Sequence, residues 1–170
     1  MSRLNSQYGV GLIEIMVAVL LLSIAVLGFS ALQMRAVKAT EESLVRTQSL
    51  SVVRGLAENM RANPLQMKAY QDAIKEPNAN SKKCNTLDSK CTSAEIATKE
   101  ANAAVKKLKE YDVRLNMISC PGTSEFSEVK CIVAAWGDTL AKMDDSDDLA
   151  CADADGIYKN GSKCVIVETY

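Results

Sequence analysis

The chain has 170 residues, a formal net charge of −1 and no histidine. That balance excludes an electrostatic nucleic-acid surface, which needs a basic patch or stripe, and the missing histidine excludes Ser–His and Cys–His nucleophilic sites. Five Tyr, two Phe and a single Trp supply no base-stacking platform. Residues 1–9 form a polar leader with one charge, Arg3, whose loss would take the net charge to about −2. From Val10 to Met34, 25 residues carry one charge, Glu14, before Arg35 restores polarity. At about 1.5 Å per residue, a helix of that length spans a hydrocarbon layer roughly 30 Å thick. Helix formers dominate, Pro is absent, and Gly28 is the soft point. An ordinary secretory signal places its cleavage site behind the apolar region. Here the polar-to-apolar junction, with Gly9, lies in front of it, so a cut there leaves the apolar segment on the mature protein.

Past Met34 the composition changes without a break. Arg35, Lys38, Glu41, Glu42 and Arg46 appear, yet no Pro or loop cluster intervenes before Asn63-Pro64. On a helical wheel Leu44, Val45, Val52, Val53, Leu56 and Met60 share one face, with Arg54, Glu58 and Arg61 opposite. Pro64 disfavours helical geometry at Asn63, so the helix should end there. The expectation is one rod of about 80 Å over 10–63 at 1.5 Å per residue; the alternative is two helices hinged near Gly28–Ser30. The chain thus divides into a leader (1–9), a transmembrane or filament-core helix (10–34), an amphipathic continuation (35–63) and a globular head (64–170).

In the head, Gln66–Ile74 reads as a short helix. A loop with Pro77, Asn78, Asn80 and Ser81-Lys82-Lys83 follows. Thr92-Ser93-Ala94-Glu95 is a capping box that opens a helix from Ala94 to Glu110. Val113–Ile118 fits a strand or a continuation of that helix. Glu128–Trp136 and Lys163–Thr169 read as strands, with Trp136 a buried residue at a sheet end. Pro121-Gly122 and Asn160-Gly161 are turn signals, the second closing a hairpin-like connection ahead of the last strand. The sum is an α+β head, a small antiparallel sheet lying on the long helix.

All six cysteines, Cys84, Cys91, Cys120, Cys131, Cys151 and Cys164, fall after residue 80. An even count in a small exported domain implies a disulfide framework in an oxidising compartment, with fifteen pairings open in principle. Pairing sequence neighbours gives Cys84–Cys91, Cys120–Cys131 and Cys151–Cys164. No Cys-x-x-Cys pair occurs, which removes zinc and thiol-redox readings. The acidic stretch Asp144-Asp145-Ser146-Asp147-Asp148, with Asp153 and Asp155-Gly156 beyond it, reads first as a solvated, self-repelling loop. Asp153 and Asp155 are weak calcium candidates, since hard cations take several oxygens from a Gly-containing loop. An EF-hand register fails, because Cys151 falls at the first ligand position and no terminal Glu follows. Docking to a basic partner is the third reading of this stretch.

Gly9-Val10-Gly11-Leu12-Ile13-Glu14, followed by Ile15-Met16-Val17-Ala18-Val19-Leu20-Leu21-Leu22-Ser23-Ile24, resembles the class III signal of type IV prepilins. More narrowly it resembles the PilV minor pilins, the type IV pilus modification proteins. Arg54-Gly55-Leu56-Ala57-Glu58-Asn59-Met60-Arg61-Ala62-Asn63-Pro64 is similar to the helix end of that family, so the likeness covers roughly residues 1–65. It departs from major pilins at Val10, where phenylalanine is usual, and at Gly11. The resemblance implies a type IV pilin-like fold, cleavage by prepilin peptidase after Gly9, N-methylation of Val10 and an assembly role for Glu14. A carboxylate inside an apolar span costs on the order of 2–4 kcal/mol on insertion scales. In a simple anchor Glu14 would be an interfacial acid. In a bundle of parallel helices, the α-amino group freed at Val10 of one subunit would neutralise Glu14 of its neighbour, and wrong axial offsets would leave a charge unpaired.

The expected function is therefore structural, without enzymatic activity, cofactor or metal. A minor pilin would prime assembly and sit at or near the pilus tip, supporting adhesion, motility and DNA uptake. Its partners would be prepilin peptidase, other minor pilins, the major pilin and a tip adhesin, with no direct nucleic acid. It would begin as a single-pass inner-membrane protein with a periplasmic head and end in the extracellular pilus. The alternatives are a minor pseudopilin of a type II secretion system and an anchored periplasmic binding module with no assembly role.

Overall fold

The computed structural model describes residues 11–77, 84, 90–123 and 128–169. The chain forms two compact units, residues 1–43 and 44–170. Helix α1 (Leu12–Ala62) runs through the end of the first and into the second. In the first unit its apolar side chains, from Leu12 to Val37, are exposed. Three hydroxyls of this unit bond back to carbonyls one turn earlier: Ser23 to Val19, Ser30 to Val26 and Thr40 to Ala36, at 2.8–2.9 Å. Each polar atom is thereby satisfied inside the helix, the condition an apolar solvent imposes. The helix is continuous across Gly28–Ser30, so the hinge alternative is not what the fold adopts.

The second unit begins where α1 starts to bury side chains. Ser49, Val53, Leu56, Ala57 and Met60 lie within the core, at spacings of three and four that keep them on one face. Leu44, placed on that face by the helical wheel, is instead half exposed, and Val52 is half-buried. α1 stops at Ala62, since Asn63 takes φ −135° and ψ 57° ahead of Pro64, and Pro64–Gln66 forms a 3-10 turn. Helix α2 (Met67–Lys75) follows at once and buries Tyr70, Ala73 and Ile74.

Helix α3 (Ser93–Lys109) opens on a complete capping box. Thr92 Oγ1 accepts the Glu95 amide, and the Glu95 carboxylate accepts the Thr92 amide. Its buried residues are Ala97, Ala101, Ala104 and Leu108, a stripe small enough for close packing against the other helices. At its end Asp112 takes φ 55°, turning the chain into β1.

The main sheet has order β1–β2–β5 and is antiparallel throughout: β1 (Arg114–Ser119), β2 (Lys130–Ala135) and β5 (Cys164–Glu168). From Arg114 on, the segment Val113–Ile118 is thus strand rather than helix continuation, because β2 supplies it with a ladder partner. One sheet face joins α1, α2 and α3 in the larger core, through Met117, Ile132, Ala134, Trp136 and Val165. The other face holds Val133, Ala135, Cys151 and Cys164 in a smaller cluster. Over this face lie β3 (Leu140–Met143) and β4 (Ala150–Ala152), a two-stranded parallel pair that periodicity does not reveal. The Asn160-Gly161 turn is present, with the Ser162 amide donating to Lys159 O at 3.1 Å. It does not close a hairpin, however: β5 pairs with β2, because only that register gives its valines a place in the larger core.

Candidate functional site

Glu14 lies in the first turn of α1, where the positive end of the helix dipole favours a carboxylate. Its amide donates to Gly11 O at 2.9 Å, and Leu12, Ile13, Ile15 and Met16 flank it with exposed apolar surface. Among the described residues no cation is placed against the Glu14 carboxylate. Gly9 and Val10 lie outside the described residues. By length and composition α1 contains a segment able to cross a membrane. This segment thus presents an exposed apolar surface with a lone acid, Glu14, within it.

The six cysteines are all oxidised in the head, so no thiol is available for chemistry. Cys84–Cys91 ties the segment ahead of α3, and Cys120–Cys131 joins the end of β1 to β2 across the intervening loop. Cys151–Cys164 fastens β4 to β5 and so holds the small parallel pair on the main sheet.

The acidic stretch stays largely exposed, but it is ordered by its own hydrogen bonds and by Lys142. The carboxylates of Asp144, Asp145 and Asp147 accept bonds in the turns between β3 and β5. Asp144 Oδ1 accepts from the Ser146 amide and hydroxyl at 2.9 and 2.7 Å, and Asp147 Oδ1 accepts from the Leu149 amide at 2.9 Å. Asp145 accepts from the Ala154 amide at 2.7 Å. Lys142 Nζ sits between Asp144 Oδ2 at 2.9 Å and Asp147 Oδ2 at 2.6 Å. A second lysine, Lys159, donates to the carbonyls of Asp145 and Asp147 at 3.1 and 2.9 Å. The bonds from Ser146, then from Lys142, hold the Asp144 carboxyl well below the usual carboxylate range. Asp147 is lowered chiefly by Lys142, and Lys142 is raised by Asp147 and then Asp144.

Lys142 thus neutralises Asp144 and Asp147, and Lys159 ties down two carbonyls of the run. Of the calcium candidates, Asp153 uses Oδ1 on the amides of Asp155 and Ile157, at 3.1 and 2.8 Å, and Asp155 lies exposed at the turn. Among the described residues no group of three or more His, Cys, Asp or Glu side chains gathers in metal-ligating geometry. Sequence reasoning missed the two lysines. The signal that could have found them was their position at either end of the acid run.

Tyr70, fully buried, donates to Glu100 at 2.5 Å and links α2 to α3; burial, then that carboxylate, pushes its phenol well up. Trp136 is buried at the sheet end, and among the described residues its indole N–H has no partner.

Two family models match the chain. Residues 31–113 match the family described as type IV pilin Tt1218, and residues 4–30 match the prokaryotic N-terminal methylation motif. No curated protein and no solved structure matches. The α+β fold, with its long N-terminal helix, small antiparallel sheet and three disulfides, is type IV pilin-like. The two adjoining matches, each over less than half of the chain, support a type IV pilin carrying the N-terminal methylation motif of prepilins.

Proposed function

We propose that this protein is a minor pilin of the PilV kind, cleaved after Gly9, N-methylated at Val10 and built into a type IV pilus by α1. The observation that carries the reading is the methylation motif over 4–30 set directly on a helix whose apolar side chains are exposed from Leu12 to Val37. Before assembly that surface sits in the inner membrane with the head in the periplasm. Afterwards it lies against the helices of other pilins, where exchange of lipid for protein contact costs little. The acid at Glu14 then meets the amine of Val10 on a neighbour. In low dielectric an unpaired charge is strongly unfavourable, so this pair sets the axial stagger.

In this reading the subunit lies at or near the tip, in the complex that primes assembly, with other minor pilins, the major pilin and a tip adhesin. Adhesion, twitching motility and DNA uptake follow from the fibre rather than from nucleic-acid binding by this chain. Transmembrane core (10–34), amphipathic continuation (35–63) and head (64–170) are the working division.

Glu14→Ala is the test. Loss of incorporation into sheared filaments, with membrane insertion and peptidase cleavage intact, is the expected result. Unchanged incorporation would sink the charge-pairing mechanism. Deletion of the chain separates the runner-up: loss of surface pili marks a pilin, whereas loss of enzyme secretion with pili retained marks a type II pseudopilin.

A further inference from the structure

The main sheet has two edges, formed by β1 and β5. In an antiparallel ladder, residues alternate between pointing their N–H and C=O at the partner strand and pointing them away. Trp136 N–H donates to Lys163 O and Thr169 N–H to Lys130 O, which fixes the phase between β2 and β5. Val165 and Val167 therefore face β2, while Cys164, Ile166 and Glu168 point their backbone groups outward. By the same rule Leu115, Met117 and Ser119 of β1 point outward, and at the central one, Met117, both groups are filled. Asn116 Oδ1 accepts the Met117 amide at 2.9 Å, and Gln71 of α2 donates to the Met117 carbonyl at 3.2 Å.

The β5 edge has only a partial cover. The Tyr158 hydroxyl accepts the Ile166 amide at 2.9 Å, and Arg61 reaches the Glu168 carbonyl at 3.4 Å. Among the described residues the outward groups of Cys164, the Ile166 carbonyl and the Glu168 amide are left without a partner. Beside this edge runs a cleft of about 540 Å³ whose walls include Met143, Tyr158 and Ile166. At its rim stand the exposed carboxylates of Asp155 and Glu168; Arg61, on the same rim, is paired with Glu58 at 2.5 Å and meets Glu168 at its carbonyl. Tyr158 is itself half exposed, so its ring can leave the edge at little cost in burial.

We infer that the outer edge of β5 receives an extended segment of a partner polypeptide as an added strand. The occupant is set by this chemistry: only an extended backbone answers donors and acceptors repeating every second residue. Apolar side chains at alternate positions enter the cleft, and a Lys or Arg meets Asp155 and Glu168. Tyr158 is the stopper that the incoming strand displaces. The inference concerns the head alone and stands or falls independently of filament assembly through α1.

The test uses the full-length chain in detergent micelles and three synthetic octapeptides. The first alternates Val with Thr and carries two Lys; the second carries Glu in place of Lys; the third is the first with alternate backbone amides N-methylated. The Lys peptide is expected to bind and to slow amide exchange at Cys164 and Glu168. The other two should bind about tenfold more weakly or worse, a difference of roughly 1.4 kcal/mol. Glu168→Lys should reverse the preference between the Lys and Glu peptides, a readout that a merely unfolded variant cannot give. Equal binding of the N-methylated peptide, protection confined to another element, or concentration-dependent dimerisation that protects the same amides without peptide would each overturn the proposal.

Discussion

Leu108 and Leu65 make a matched pair that sets a core leucine of the head against a surface one. Leu108, on α3, is fully buried, whereas Leu65, in the 3-10 turn, is 91% exposed. Truncation to alanine removes the same atoms from both. At Leu108 about three buried carbons leave the core, at roughly 0.8 kcal/mol each. The residual cavity between α3 and the sheet adds to that, for a total of about 3–4 kcal/mol. At Leu65 the cost should stay within about 0.5 kcal/mol. Thermal unfolding of the full-length chain in micelles can be followed by the fluorescence of Trp136, which lies in the same core and is the only tryptophan. Its signal ignores the apolar part of α1, which micelles would keep helical. Leu108→Ala should lower Tm by roughly 10 °C and Leu65→Ala by no more than about 2 °C, scaled from domain averages. Similar shifts for both, or a larger one for Leu65→Ala, would refute the assignment of the α3 face.

Lys142→Gln should destabilise the head by an amount that depends on pH. Asp144 and Asp147 have depressed folded pKa values, so their contribution is present above the unfolded carboxylate range near 4 and is lost as pH falls through the folded values. The raised Lys142 contributes below its unfolded pKa near 10.4 and loses that contribution as pH climbs through its folded value. The Tm gap between wild type and Lys142→Gln should therefore hold between about pH 5 and 9, narrow at both extremes, and shrink in high salt; a gap insensitive to pH would rule out the clamp. Replacing Cys151 and Cys164 together by alanine opens a loop with a sequence separation of 13 and should cost about 3 kcal/mol on the chain-entropy estimate, read from denaturant unfolding of the head. Unchanged stability would show that the β4–β5 fastening is dispensable.

What could be read from the residues was mostly what local chemistry decides. Pro64 dictates the conformation of Asn63 and hence the end of α1, and Thr92 with Glu95 writes the start of α3 in four residues. The apolar span from Val10 to Met34 needs only composition. The strand at Arg114–Ser119 was ambiguous because its state depends on β2, not on its own pattern. The β3–β4 pair was illegible for a similar reason. It is short, parallel and partly polar, and is held by Cys151–Cys164 and by lysines whose role appears only in three dimensions. Leu44 shows the limit of a helical wheel: an apolar residue on the right face remains exposed where no core lies opposite it. Of the functional surface, Glu14 was conspicuous as a lone acid, whereas the open β5 edge could be found only from sheet order and ladder phase.

The mature N-terminus is the most direct probe of the whole account, since both the retained helix and its charge partner depend on it. Mass spectrometry of the chain purified from cell envelopes should find a protein beginning at Val10 and carrying one added methyl group. A chain still beginning at Met1, or cut at any junction other than the one after Gly9, would contradict it.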